Sequence, residues 1–160
     1  MSAAAKAAAK VKLPPERTGT GIDFLQRMLR GDYPNVPMAD HLGFRVVEAE
    51  PGRVVVAGRP DARSFNVMGS VHGGWTAAIL DTCMGLSAMS TLDEKNRHTT
   101  VDIRINYLRP LTLETGEVRA EGRLMQGGRR IAYCEARLVD AAGKLIAHGT
   151  SSCLIFPRQS

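Results

Sequence analysis

Residues 64–92 form a run of 29 residues in which only one side chain, that of Asp81, carries a formal charge at pH 7. From residue 73 onwards, the apolar side chains fall on nearly every side of a helix with a period of 3.6, a pattern typical of a buried helix. Burying an ionised carboxylate is costly unless a partner compensates for the lost hydration. The run therefore predicts a buried helix over about 73–91, whose carboxylate either has a function or pairs with a group from elsewhere in the fold.

The length and the composition are those of one globular domain. The chain has 160 residues, of which 44% are hydrophobic and 23% are charged, which is ordinary for a globular protein. The net charge of +5 is concentrated in residues 1–30, which hold six basic and two acidic side chains, whereas the rest of the chain holds fifteen and fourteen. A nucleic-acid-binding domain needs a basic face on its folded body, so this distribution disfavours that class.

The segment before the first predicted helix reads as a separate arm. Residues 1–19 are rich in alanine and lysine and contain Pro14-Pro15, which would end a helix. We expect a flexible basic arm over residues 1–19 and a single domain over residues 20–160. The start lacks the hydrophobic stretch of a secretory signal, and no apolar run reaches the roughly 18 residues of a membrane span.

The three cysteines predict a reducing compartment. Cys83, Cys134 and Cys153 are odd in number, lie far apart and include no Cys-x-x-Cys pair, so they fit neither a disulfide framework nor a zinc site. Each lies in an apolar stretch, where a free cysteine packs as a small hydrophobic side chain. We therefore expect reduced thiols, a cytoplasmic location and no metal ion, and we interpret Cys83 as a packing residue rather than a nucleophile.

Hydrophobic periodicity predicts two helices and six strands. An amphipathic helix over residues 21–30 precedes a hairpin at residues 41–60, which turns at Pro51-Gly52. Four further strands follow the buried helix, at residues 98–108, 117–125, 131–139 and 144–156. The simplest packing is an α+β fold in which one curved antiparallel six-stranded sheet wraps around the long central helix. The last four strands are expected to form a meander, and strict alternation puts Thr100 on the face opposite Val101 and Ile103.

One stretch of the sequence carries a family resemblance. The segment NVMGSVHGGWTAAILD at residues 66–81, followed by TTVDIRINYLRP at residues 99–110, resembles the hotdog-fold acyl-CoA thioesterases, in particular their phenylacetate-pathway (PaaI-like) branch. The similarity covers roughly residues 36–156. It implies the hotdog fold and the hydrolysis of an acyl-CoA thioester to free acid and CoA, without a metal or redox cofactor. It also implies a homodimer that often associates into a homotetramer.

The resemblance also implies roles for individual side chains. His72 is expected to orient the thioester or to fix its loop. Asn66 is expected to hold the carbonyl or the attacking water, and Thr100 to position that water. Because lysine and arginine side chains bind the phosphates of coenzyme A, candidate contacts are Arg104, Arg109, Arg129 and Arg130. An apolar acyl group, aryl or medium-chain, is suggested by three residues near the motif: Phe65, Met68 and Trp75.

The chemistry of the motif also follows from helix physics. Gly73 and Gly74 begin a helix whose first amides have no intrahelical partner and lie at the positive end of its dipole. Glycine lets a ligand approach such amides closely, so a thioester carbonyl bound there would have its oxyanion stabilised. The alternative is an ordinary glycine-rich helix start. Asp81 could act as general base on water or attack the carbonyl itself, and the sequence leaves both mechanisms open.

The spacing of these groups predicts a site shared between two chains. Gly73 and Asp81 are eight residues apart, about 12 Å along a helix axis. An oxyanion donor and a base must both lie about 3 Å from one reacting centre. Two antiparallel helices related by a two-fold axis would bring Gly73 of one chain close to Asp81 of the other, twice over. We therefore expect a homodimer as the minimal enzyme.

Three other functions compete with thioester hydrolysis at this stage. A non-catalytic binding or sensor protein of the same fold would hold acyl-CoA without hydrolysing it. A hotdog dehydratase or hydratase would need a catalytic His on the helix, which the sequence lacks. A nucleic-acid role would rest on the charge of the arm alone. The leading hypothesis is a thioesterase with acyl-CoA as its partner, and with neither nucleic acid nor a membrane.

Overall fold

The fold is built around one long helix held by an antiparallel sheet. A computed structural model describes residues 15–158. Its helices are α1 (Gly21–Leu29), α2 (Pro37–Leu42) and α3 (Gly73–Met89). Its strands are β1 (Phe44–Glu50), β2 (Arg53–Gly58), β3 (Asn96–Tyr107), β4 (Val118–Gly127), β5 (Ile131–Asp140) and β6 (Leu145–Pro157). Within this described part, no helix is both long and apolar enough to cross a membrane.

The six strands form one sheet in the order β1-β2-β4-β5-β6-β3, in which all neighbours are antiparallel. The predicted α+β class, the six strands and the β1–β2 hairpin are confirmed. The predicted four-strand meander is wrong in one respect, because β3 lies at the far edge beside β6 and not beside β4. Periodicity shows that a segment is a strand, but the strand that it pairs with depends on long-range packing.

Helix α3 fills the space inside the sheet and packs against every strand from β2 to β6. Its inner side chains are fully buried, as expected for a helix that is apolar on nearly every side. They include Ile79, Leu80, Cys83 and Met84. Asp81 is only half-buried within one chain. It belongs to the open side of the helix, where Ala77, Ala78 and Thr82 are also partly exposed.

A β-bulge in β3 determines which of its side chains face α3. The register with β6 shifts between Thr100 and Asp102, so Val101 is an extra residue in the strand. Both Thr100 and Ile103 pair with buried residues of β6, and they therefore lie on the same, inner face of the sheet. The prediction that Thr100 and Ile103 lie on opposite faces of the sheet is wrong, because the bulge interrupts the strict alternation on which the prediction was based.

Part of the segment before α1 belongs to the folded body. Arg17 is only 7% exposed, and its guanidinium donates to the backbone carbonyl of Asn96 at the start of β3. Its own backbone carbonyl accepts hydrogen bonds from Arg97 and Arg158. The arm predicted over residues 1–19 is therefore too long, because composition does not reveal an arginine whose partners are backbone carbonyls. Residues 1–14 lie outside the described residues.

Gly122 on β4 allows the sheet to approach α3 closely, which gives a test of this packing. A Cβ at this position would lie 2.7 Å from the Oγ of Ser87 and 2.8 Å from the carbonyl oxygen of Cys83. We predict that Gly122→Ala lowers the free energy of unfolding by about 1–3 kcal/mol, measured from denaturant unfolding curves. Gly127→Ala is the matched control, because its Cβ would meet the flexible end of Leu124 at 3.3 Å. Equal losses in the two variants would contradict this account.

Candidate active site

The first turn of α3 presents backbone amides at the helix start. His72 is the N-cap residue, and its Nδ1 accepts a hydrogen bond from the amide of Gly74 at 2.8 Å. Among residues 15–158, the Gly73 amide donates no hydrogen bond. Since first-turn amides lie at the positive end of the helix dipole, Gly73 is the donor available to an oxyanion. His72 fixes the turn by binding the second amide.

Tyr107 holds the same turn from the side of β3. Its hydroxyl donates to the carbonyl of Gly73 at 3.1 Å. Its ring lies 3.3 Å from the position that a Cβ on Gly73 would occupy, so glycine leaves room for the ring at this point. Sequence reasoning missed Tyr107 and treated it as one of several apolar strand residues. A hydroxyl at the end of an apolar face was the signal that could have indicated it.

The carboxylate of Asp81 is held by Thr100. The Oγ1 of Thr100 donates to the Oδ1 of Asp81 at 2.9 Å. Among the described residues, Oδ2 accepts no hydrogen bond from a side chain. The fold thus brings together two residues that the sequence singled out, 19 positions apart in the chain. The bulge in β3 is what turns the threonine towards the helix.

His98 is a further ionisable residue near Asp81. Its Nε2 lies 3.4 Å from the position that a Cβ on Gly85 would occupy, one helical turn beyond the carboxylate. Burial and the charge of Arg17 lower the pKa of His98, and Asp81 acts in the opposite direction. Sequence reasoning missed this residue. Its position two residues before Thr100, on the same strand, was the available signal.

The side chain of Asn66 is engaged within its own loop. Its Oδ1 accepts hydrogen bonds from the amides of Met68 at 2.9 Å and Ser70 at 3.3 Å. Its Nδ2 donates to the Oγ of Ser70 at 3.0 Å. These bonds shape the turn before the His-Gly-Gly motif, as asparagine does in other turns. A contact with a substrate carbonyl or with water would have to use the remaining hydrogen of Nδ2.

A cavity of about 370 Å³ opens beside the start of α3. Phe65 and Trp75 contribute to its apolar wall, and the indole is fixed by a 2.8 Å hydrogen bond from its Nε1 to a backbone carbonyl of α2. Asp61 and Arg63, which form an ion pair, line it as well. Phe65 and Trp75 thus line a cavity beside the motif, whereas Met68 is 87% exposed at the tip of its loop.

The four arginines predicted to contact coenzyme A do not lie together. Arg129 and Arg130 lie in the exposed turn between β4 and β5. The backbone carbonyl of Arg130 accepts a hydrogen bond from the amide of Ile155, the β6 residue that pairs with His98. Arg109 lies near the other end of β3, where its guanidinium donates to a carbonyl of β6 at 2.7 Å. Arg104 lies on the outer face of the sheet, because the strand residues on either side of it face α3.

Cys83 lies in the core close to Asp81 in sequence, but it is not part of the open side of α3. Its Sγ donates to the carbonyls of Val54 at 3.2 Å and Ala120 at 3.1 Å. Burial raises the pKa of the Cys83 thiol to about 12. Because the thiolate is the nucleophilic form, this geometry agrees with the interpretation of Cys83 as a packing residue.

The antiparallel sheet and the long helix that it encloses define the hotdog fold. Known proteins agree with this fold and indicate the class of enzyme. The family described as Thioesterase superfamily matches residues 68–147, half of the chain. The chain therefore belongs to the thioesterase superfamily, and it is a thioester hydrolase.

Individual relatives share both the sequence and the fold. Human acyl-coenzyme A thioesterase 13 is 29% identical over 65% of this chain and 74% of its own length. A mutant of the phenylacetic acid degradation protein PaaI from Thermus thermophilus is 29% identical, with a TM-score of 0.67 over 74% of this chain and 97% of that one. A Streptococcus mutans protein, solved with bound acetyl-CoA, is 25% identical, with a TM-score of 0.66 over 74% and 92%. The resemblance to PaaI-like thioesterases is confirmed.

The environment of Cys83 predicts that its thiol is unreactive in the folded protein. At about pH 8, iodoacetamide should leave Cys83 unmodified, because a thiol with a pKa of about 12 is almost wholly protonated. Peptide mass spectrometry should find the modification only after unfolding in denaturant. Cys134, whose pKa is also raised to about 12 by burial, should behave in the same way. Rapid native labelling of Cys83 would make it a candidate nucleophile again.

Proposed function

We propose that this protein is an acyl-CoA thioesterase, which hydrolyses the thioester of an apolar acyl-CoA, aryl or medium-chain, to free acid and CoA. The observation that carries the proposal is the hydrogen bond from Thr100 to Asp81, which orients a half-buried carboxylate on the open side of α3. The free amide of Gly73 supports it as an oxyanion donor. Acyl-CoA is named as the substrate of the human relative, and acetyl-CoA is bound to the Streptococcus mutans protein.

The proposed hydrolysis moves one proton to Asp81 and then away from it. Asp81 takes a proton from water as the water oxygen attacks the thioester carbon, while Thr100 orients the carboxylate. The carbonyl oxygen becomes an oxyanion that the Gly73 amide stabilises. The tetrahedral intermediate then breaks its C–S bond, and the leaving CoA thiolate takes the proton from Asp81. In the other route, Asp81 attacks the carbon itself, the C–S bond breaks, and the CoA thiolate leaves and takes a proton from water. Hydrolysis of the resulting anhydride by water then releases the free acid and regenerates the Asp81 carboxylate.

Strand β3 is the surface through which we propose that two chains associate. It is 12 residues long and has a neighbouring strand on one side only. It exposes Val101, Ile103 and Tyr107, whose accessible fractions are 54%, 39% and 55%. A long apolar edge strand is an aggregation site unless another strand covers it. Antiparallel pairing with β3 of a second copy would cover these side chains and lay the two α3 helices side by side.

A dimer of this kind would form each site from both chains. Within one chain, Gly73 and Asp81 lie on the same helix, about 12 Å apart along its axis, so they cannot act on one carbonyl. Side by side and antiparallel, the two helices would place Gly73 of one chain near Asp81 of the other. Association of two dimers into a tetramer and a cytoplasmic location stay predictions.

The ends of β3 offer cations for the phosphates of coenzyme A. Arg129 and Arg130 lie at the end that carries Thr100, and Arg109 lies near the end that carries Tyr107. In an antiparallel dimer both ends would flank each composite site. We therefore propose these three arginines as phosphate contacts, whereas Arg104 on the outer face of the sheet is poorly placed for this role.

The role of Asp81 is tested by thiol release from a panel of aryl, short, medium and long acyl-CoA esters. We predict that Asp81→Asn lowers kcat by at least about 10², the range of general acid–base catalysis. Thr100→Val should lower kcat by about 10–100-fold, since it removes one hydrogen bond to a charged group. Thr100→Ser keeps that donor and should retain most of the activity.

The controls distinguish the loss of a catalytic group from misfolding and from a different function. The molecular mass of the oligomer that Asp81→Asn forms in solution should equal that of the native protein. If neither protein releases CoA while both bind the esters, the protein is an acyl-CoA binding module of the same fold and the catalytic assignment is wrong.

The composite site is tested by mixing two inactive variants. Gly73→Pro removes the amide hydrogen at the first position of a helix, where proline is tolerated and where His72 already has an extended backbone. The Tyr107 ring, 3.3 Å from a Cβ at this position, must shift slightly, so Gly73→Ala, which keeps the amide hydrogen, is the matched control for this crowding. A heterodimer of Gly73→Pro with Asp81→Asn would keep one intact site. Random pairing should therefore restore about a quarter of the native activity. If each site lies within one chain, every mixture will stay inactive.

A further inference from the structure

His98 is an ionisable residue close to Asp81 that the hydrolysis described above does not use. It lies two residues before Thr100 on the inner face of β3, and Thr100 bonds to Asp81. Its Nε2 lies 3.4 Å from the position that a Cβ on Gly85 would occupy. Because Asp81 and Gly85 are neighbours at i and i+4 on α3, the imidazole lies about one helical turn from the carboxylate.

Two groups of opposite charge face the imidazole of His98. The anion is Asp81 on α3, and the cation is the buried guanidinium of Arg17 in the segment before α1. On β6 the paired residue is Ile155, and the neighbouring thiol of Cys153 has a pKa that burial raises. Within residues 15–158, no hydrogen bond ties the imidazole to a partner. Its charge is therefore set by burial and by the balance between one cation and one anion.

That balance favours a neutral ring near neutral pH. Burial, with a smaller contribution from Arg17, lowers the pKa of His98 below its ordinary value of 6.5, and Asp81 opposes the shift. The ring therefore gains a proton only as the pH falls below that value. An imidazolium about one helical turn away would attract the carboxylate, and a carboxylate stabilised by a nearby cation is a weaker base and a weaker nucleophile.

We propose that His98 is a positioning residue for the hydrolysis. At neutral pH its uncharged ring keeps the surroundings of Asp81 free of a second charge, and the ring pairs with the Asp81 carboxylate once the imidazole itself is protonated. Gly85 gives the ring its place against α3, and burial, assisted by Arg17, favours its neutral form. The proposal rests on the proposed function of Asp81 and holds for either route, because both need a free carboxylate.

The first test compares the pH dependence of His98→Asn with that of the native dimer. Asparagine is polar but does not titrate. The ratio of kcat for the variant to kcat for the native enzyme should rise by about 3–10-fold between pH 7.5 and pH 5. Protonation of Asp81 itself affects both proteins and largely cancels in the ratio. If His98 only packs, the ratio will be the same at every pH, and this result would overturn the proposal.

The second test changes the cation that faces His98. Arg17→Gln removes the charge, so the pKa of His98 should rise and the loss of kcat in acid should move to higher pH. Arg17→Lys keeps the charge and is the matched control, whose profile should stay close to the native one. In a His98→Asn background, Arg17→Gln should leave the profile unchanged. A shift in that background would show that Arg17 acts on activity without His98 and would contradict the proposal.

An NMR titration of the histidine ring protons gives a readout that does not depend on turnover. The chain has four histidines, and the resonance absent from His98→Asn identifies the relevant one. It should titrate below the ordinary histidine range, and lower still in Asp81→Asn, because the neighbouring negative charge is lost. If Asp81→Asn abolishes turnover but leaves the His98 titration unmoved, this proposal alone fails. If Asp81→Asn retains turnover, the proposed function fails.

Discussion

The hydrogen bond between Thr100 and Asp81 reconciles two opposed demands on α3. The helix must be apolar on nearly every side, because the sheet packs around it and its inner side chains are fully buried. In the proposed hydrolysis it must also carry an ionised group that can react. A half-buried carboxylate without a donor would be costly, and the 2.9 Å bond from the β3 threonine offsets part of that cost. The same bond fixes the direction of one carboxylate oxygen, so stabilisation and orientation have a single origin.

Strand β3 supplies this donor from the edge of the sheet. An edge strand has one hydrogen-bonded neighbour, so a bulge in it disturbs a single ladder; interior pairs of this sheet carry register shifts as well. The bulge between Thr100 and Asp102 turns Thr100 towards α3. The edge has a cost as well, since it leaves apolar side chains such as Val101 and Tyr107 exposed. That exposure favours association with a second strand at the place where the proposed site would need a second chain.

The sequence predicts what is local and misses what depends on long-range pairing. The apolar run around Asp81 predicted α3, and alternating side chains predicted six strands. Both patterns are local, because each is complete within a few helical turns or a few strand residues. The position of β3 beside β6 and the orientation of Thr100 could not be predicted, because the first depends on tertiary packing and the second on a bulge. Arg17, predicted to be in a flexible arm, is buried because its partners are backbone carbonyls, which leave no trace in composition. His98 was missed although its spacing from Thr100 was visible, because its proximity to α3 depends on how β3 packs against the helix.

The rigidity of α3 is the physical reason why the proposed site needs two chains. The helix runs without interruption from Gly73 to Met89, so its first amide and its central carboxylate stay apart at a fixed distance along the axis. Bending the helix to bring them together would break hydrogen bonds and disturb the core that it fills. Pairing through an edge strand instead lets the backbone ladder of the joined sheet set the relative position of two rigid helices. The donor and the base are then placed before substrate arrives, which is the condition under which electrostatic stabilisation of an oxyanion is most effective.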